Sequence, residues 1–147
     1  MDTPSTIVGA WMHTQLHVAH PHDSIEAARA LCERHRINQL PVIADGKLVG
    51  IVTDRDLRDA FPSIVEEAAR PDDARREISS IHVEDVMTAN VLTVAAGDPI
   101  ERAAMIMRRE RVGALPVVRN DRVIGILTRT DLLQALVAVT TVLHAGH

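Results

Sequence analysis

Apolar and polar positions along this chain fall into a short series of patterns, and the series runs through twice. Ile25, Ala28, Leu31 and Cys32 recur at helical spacing, and Ile100, Ala103, Ile106 and Met107 repeat it. Each set predicts an amphipathic helix. Asp23 and Asp98 stand ahead of these helices as expected N-caps, with Glu26 and Glu101 three positions on, and Pro99 suits a first helical position. Next come two β-branched runs around a turn: Leu40-Pro41-Val42-Ile43, then Asp45-Gly46, then Leu48-Val49-Gly50-Ile51-Val52. This is a hairpin pattern, and Asn120-Asp121 serves the same turn in the later copy. Pro41 and Pro116 fit the first position or the edge of a strand. Further helices are expected after Thr53 and Thr128, and short strands near residues 16–19 and 91–94.

The two series superpose without a gap at an offset of 75 positions, with about 15 identities between residues 12–57 and their counterparts. Met12 meets Met87, Leu40-Pro41-Val42 meets Leu115-Pro116-Val117, Gly50-Ile51 meets Gly125-Ile126, and Asp56-Leu57 meets Asp131-Leu132. An internal duplication follows. The repeats are placed at residues 8–61 and 80–140, with residues 62–79 as a linker. Ser63 and Glu66 suggest a helix starting after Pro62, and Arg70-Pro71-Asp72-Asp73 should end it. Each repeat reads β-α-β-β-α, a small sheet with helices on one face. Two such units are expected to pack sheet to sheet around a pseudo-twofold axis, which gives one mixed α/β (α+β) fold.

Composition narrows the function. Trp11 and Phe61 are the sole aromatics, so the core is aliphatic and no aromatic platform for single-stranded nucleic acid can be assembled. Net charge is -4 and Glu110 interrupts the one arginine cluster, Arg108, Arg109 and Arg111, so nucleic acid is not an expected partner. Cys32 is the single cysteine, which excludes an intrachain disulfide and a cysteine-rich zinc site. No signal peptide is visible at the start. The longest apolar run, residues 132–143, falls short of the roughly 20 residues that a membrane span needs. A cytoplasmic location without a membrane partner is expected. That run reads as a helix that is either core or the contact of a symmetric dimer.

The chemistry concentrates where a strand runs into a helix. Gly50-Ile51-Val52-Thr53-Asp54-Arg55-Asp56 is matched by Gly125-Ile126-Leu127-Thr128-Arg129-Thr130-Asp131. A Thr-x-x-Asp at such a junction is a capping box. The same geometry also offers free N–H groups and partial positive charge to a phosphate, and a carboxylate to a ribose diol. The readings are compatible, and the recurrence of the junction favours a functional role.

These junctions, the two Leu-Pro-Val strands and Val86-Met87-Thr88 resemble the cystathionine-β-synthase-type (CBS) domain family, over about residues 8–61 and 80–140. The resemblance implies a pair of repeats, a Bateman module, whose clefts take AMP, ADP, ATP, S-adenosylmethionine or dinucleotides, and which often dimerises. It implies that Asp56 and Asp131 hold ribose hydroxyls while Thr53 and Thr128 contact ribose or phosphate. Adenine would lie against Ile37, Leu40 and Pro41 in one copy and Val112, Ala114, Leu115 and Pro116 in the other. Arg129, whose counterpart is Asp54, places a cation beside the presumed phosphate site and marks the second cleft as the better nucleotide site.

Other signals are weaker. His13, His17, His20 and His22 cluster without a cysteine or a firm carboxylate partner and read as surface residues, so no metal site is expected. No Gly-x-Ser-x-Gly turn or Walker or Rossmann loop occurs, so no catalytic residue is expected and the chain is not read as an enzyme. The expectation is a regulatory module that senses an adenosine ligand, needs no resident cofactor, forms a homodimer and signals to an effector protein. The alternative is a structural or oligomerising module with degenerate clefts.

Overall fold

The computed structural model describes residues 3–67 and 80–146, the side chains of residues 62–67 excepted. A 3-10 turn at Val8–Ala10 comes first. Then follow α1 (Ile25–His35), β1 (Gln39–Ala44), β2 (Lys47–Thr53) and α2 (Asp54–Glu67). A short α3 (Val83–Val86) leads to α4 (Ile100–Glu110), β3 (Ala114–Arg119), β4 (Arg122–Thr128) and α5 (Arg129–Ala145). The fold is mixed helix and strand, with two separate two-stranded antiparallel sheets, β1–β2 and β3–β4. In place of a strand ahead of α1 and α4, a single residue bridges in parallel: Ala19 to Val42, and Val94 to Val117.

Both hairpins turn where the sequence places them. Asp45 and Gly46 have φ of 52° and 78°, and Asn120 and Asp121 have 52° and 66°. Positive φ at both central residues is the turn that matches strand twist. The helix starts differ from expectation by one residue. Ser24 is the N-cap of α1, its hydroxyl accepting from the Ala27 N–H at 3.1 Å, and Pro99 occupies the cap of α4. Asp23 and Asp98 instead accept from the N–H groups of His20 and Ala95, at 2.8 and 2.9 Å. A carboxylate that closes the preceding turn is not available to cap the helix. The helix expected to start after Pro62 is instead the end of α2, which runs to Glu67, so Ser63 lies inside it. Leu57, Ala60 and Phe61 seat this helix on the core, which outweighs the one hydrogen bond that Pro62 removes. The stop expected at residues 70–73 lies outside the described residues.

The chain divides into two compact units, and they do not follow the repeats. One comprises residues 17–91, and the other joins the residues up to Leu16 with those from Leu92 onward. In the first, Ala19, Ile25, Ala28, Cys32, Leu40, Val42, Val52, Leu57 and Val83 form the core. In the second, Val94, Ala103, Met107, Leu115, Val117 and Leu127 occupy the corresponding places, and Val8 fills the place that Val83 holds in the first. Each core is therefore completed by the opening segment of the other repeat.

The segments are held by short antiparallel bridges. His13 and Ile126 exchange two backbone hydrogen bonds of 2.9 Å, and Ile51 and Thr88 exchange bonds of 2.9 and 2.8 Å. Gly50 and Gly125 permit these approaches. A Cβ at Gly125 would lie 2.6 Å from Met12 Sδ and 2.9 Å from the His13 carbonyl oxygen, closer than such atoms can sit. Gly125→Val is expected to lower stability by about 1–3 kcal/mol. Hydrogen exchange should quicken at the His13 and Ile126 amides. A melting curve equal to that of the parent would mean that the segment is free to move aside.

Candidate functional site

The two strand-to-helix junctions have the same geometry. The Thr53 N–H donates to Asp56 Oδ2 at 3.0 Å, and the Asp56 N–H donates to Thr53 Oγ1 at 3.1 Å. The Thr128 N–H and hydroxyl donate to Asp131 Oδ2 at 2.8 and 3.0 Å, and the Asp131 N–H donates to Thr128 Oγ1 at 3.3 Å. The capping box is thus complete in both units. The next residue ties the junction to the loop that leaves the preceding helix: the Asp54 N–H donates to the Asn38 carbonyl at 2.7 Å and the Arg129 N–H to that of Gly113 at 3.1 Å. These loops begin at Arg36 and Arg111, left-handed residues with φ of 53° and 56°. Ile37 and Val112, both half-buried, follow directly and pack against the cores.

The other residues singled out from the sequence are placed less evenly. Leu40 and Leu115 are 0% and 1% exposed, and Pro41, Ala114 and Pro116 are also buried, whereas Ile37 and Val112 are half-buried. Arg129 is exposed, and its guanidinium lies over Gly113. It lines a groove of about 940 Å³ along α4 and α5, together with Arg108, Arg111, Leu132 and Leu136, and neither Thr128 nor Asp131 lines that groove. Its counterpart, Asp54, pairs with Arg58 at 3.2 Å.

One residue of the second junction escaped the reading from sequence. His13 Nε2 lies 2.7 Å from Asp131 Oδ1. Asp131, 1% exposed, is the one buried charged residue among the described residues. The signal was present: His13 aligns with Thr88, next to the matched pair Met12 and Met87. The other histidines are engaged separately. His17 stacks on His35 with ring centroids 3.6 Å apart, His20 Nδ1 lies 3.0 Å from the Ile43 carbonyl oxygen, and His22 lies 3.4 Å from Glu84. Among the described residues no group of three or more His, Cys, Asp or Glu side chains could hold a metal ion. None of the described helices is long and apolar enough to cross a membrane.

The family model of the CBS domain matches this chain twice, at residues 8–63 and 83–138. The chain belongs to the CBS domain family. A CBS domain-containing protein of Dictyostelium discoideum is 39% identical over 119 residues, 79% of this chain and 81% of that protein. An inosine-5'-monophosphate dehydrogenase of Staphylococcus epidermidis is 32% identical over 120 residues. The match spans 21% of that enzyme's length, and one to an uncharacterized protein of Methanocaldococcus jannaschii spans 42% of its length. Among solved structures, the CBS domain pair of protein MJ0100, in complex with 5'-methylthioadenosine and S-adenosylmethionine, superposes with a TM-score of 0.75. It is 30% identical, and the match covers 90% of this chain and 97% of that one. CBSX2 of Arabidopsis thaliana, in complex with AMP, gives a TM-score of 0.76 at 31% identity and covers 92% and 99% of the two chains.

Cys32 is 2% exposed, and burial, reinforced by the charges of Asp54 and Glu33, pushes its thiol from 9.0 up to about 11. The thiolate, which is the reactive form, is therefore suppressed at neutral pH. An unfolded chain ionises this thiol at lower pH than the folded one does. Its contribution to stability is thus complete below about pH 9 and lost as pH rises toward 11. Cys32→Ala should flatten the fall of melting temperature across this window, and the parent's Cys32 should react with iodoacetamide only at the rate of global opening. Rapid native-state alkylation would contradict both.

Proposed function

We propose that this chain is a regulatory, non-catalytic module that binds an adenosine-containing ligand at its Thr-x-x-Asp junctions. The observation that carries the reading is the recurrence of one junction, with the same reciprocal Thr–Asp bonds, in both units. Asp56 and Asp131 accept from ribose hydroxyls, and Thr53 and Thr128 face ribose or phosphate. Ile37 and Val112, backed by Leu40, Pro41, Ala114, Leu115 and Pro116, provide the apolar side for the adenine. Arg129, exposed and without an ion-pair partner among the described residues, supplies a cation for a phosphorylated ligand. The adenosine ligands of MJ0100 and CBSX2 support this class of ligand.

Regulation follows from differential affinity. A ligand that binds one conformational state better shifts the population toward it, and a partner that prefers that state responds to ligand concentration. The CBS match within inosine-5'-monophosphate dehydrogenase supports an output through an effector protein. Association of two copies is the second part of the proposal. Leu133, Leu136, Val137 and Leu143 on α5 are 56–63% exposed, an apolar stripe that a second copy would cover.

Thermal unfolding against AMP, S-adenosylmethionine and inorganic pyrophosphate tests the ligand class. A ligand at 100 times its Kd adds about 2.7 kcal/mol, which raises the melting temperature by roughly 5–10 °C. The shift is expected with adenosine ligands, not with pyrophosphate, and should vanish in the Asp56→Ala/Asp131→Ala double variant. No shift with any of them would favour the structural module. Val137→Glu should convert a dimer to a monomer in light scattering at micromolar concentration. A parent that is already monomeric would remove the dimer.

A further inference from the structure

The two junctions differ in what stands against the carboxylate opposite the threonine. In the second unit both carboxylate oxygens of Asp131 are engaged, Oδ2 by Thr128 and Oδ1 by His13. An ionised carboxylate only accepts, so the imidazole is the donor. Its backbone is fixed by the two bonds to Ile126, two residues before Thr128. The His13 side chain is 59% exposed over a carboxylate that is 1% exposed. The imidazole is therefore the cover of Asp131.

In the first unit, Thr88 makes the matching backbone bonds to Ile51. Its shorter side chain makes no bond to Asp56 among the described residues. Asp56 is half-buried, and its Oδ1 has no hydrogen-bond partner among them. Among the described residues, one unit thus presents an unengaged acceptor oxygen and the other a covered one.

We propose that His13 is a built-in competitor for the ribose-binding oxygen of the second junction and sets the two junctions to different affinities for the same nucleoside. This rests on the nucleotide reading above. A ribose diol reaches Asp56 Oδ1 directly, whereas at Asp131 it must displace the imidazole and exchanges one charge-assisted hydrogen bond for another. The first junction is the tighter site, and the second fills only at higher ligand concentration. This reverses the ranking that the charge of Arg129 alone suggests.

Calorimetric titration with AMP, and with 2',3'-dideoxy-AMP as a probe lacking the diol, tests the assignment. His13→Thr, which installs the first unit's residue, should tighten the weaker AMP site by about tenfold and leave dideoxy-AMP unaffected. Thr88→His should weaken the tighter site by a similar factor, and it keeps the test open if His13→Thr does not fold. AMP affinity that is unchanged or reduced in folded His13→Thr would overturn the proposal. If AMP binding is also lost in Asp131→Ala, the nucleotide reading stands and only the role of His13 falls. Absence of AMP binding to the parent and to every folded variant would remove both.

Discussion

The backbone bridge between His13 and Ile126, with its counterpart between Thr88 and Ile51, is the contact on which most of this fold turns. It requires glycine at Gly125 and Gly50, because backbone or methionine atoms stand where a side chain would begin. It draws Val8 and Val83 into cores built from the following and the preceding repeat. It also fixes the residue that stands beside the carboxylate of each junction. The same two glycines that open the Gly-Ile-x-Thr-x-x-Asp signature are thus structural before they are functional.

In the proposed reading, one set of bonds at the junctions serves both stability and recognition. The capping box orders the first turn of α2 and α5 and leaves the carboxylate rigid. A preorganised acceptor loses little freedom when a ligand arrives. The loop carbonyls of Asn38 and Gly113 tie the helix starts to the loops that carry Ile37 and Val112. Duplication then allows the two copies to diverge. Core side chains have diverged, with the larger Met107 and Val94 in one unit where the other has Cys32 and Ala19, while the Thr and Asp of both junctions remain.

Much of this was legible in the sequence, because periodicity and the offset between repeats report local structure directly. Helices α1 and α4, both hairpins, their turn residues and the Thr–Asp bonds follow from patterns a few residues long. The failures share a cause: they depend on contacts distant in the chain or on competition for one side chain. Asp23 and Asp98 look like caps until their carboxylates are seen to bond backward to His20 and Ala95. Pro62 looks like a break until Leu57 and Phe61 are seen to seat the helix on the core. His13 looks unpartnered because Asp131 lies more than a hundred residues away, and no local pattern joins them.

The crossing of segments between repeats also orders events during synthesis. The unit of residues 17–91 has all its parts once Val91 has left the ribosome, and it can close while the remainder is still being made. Val8, by contrast, has no core to enter until Leu127 emerges. Val8 therefore waits until β4 is made, and the core that takes it in forms around that strand.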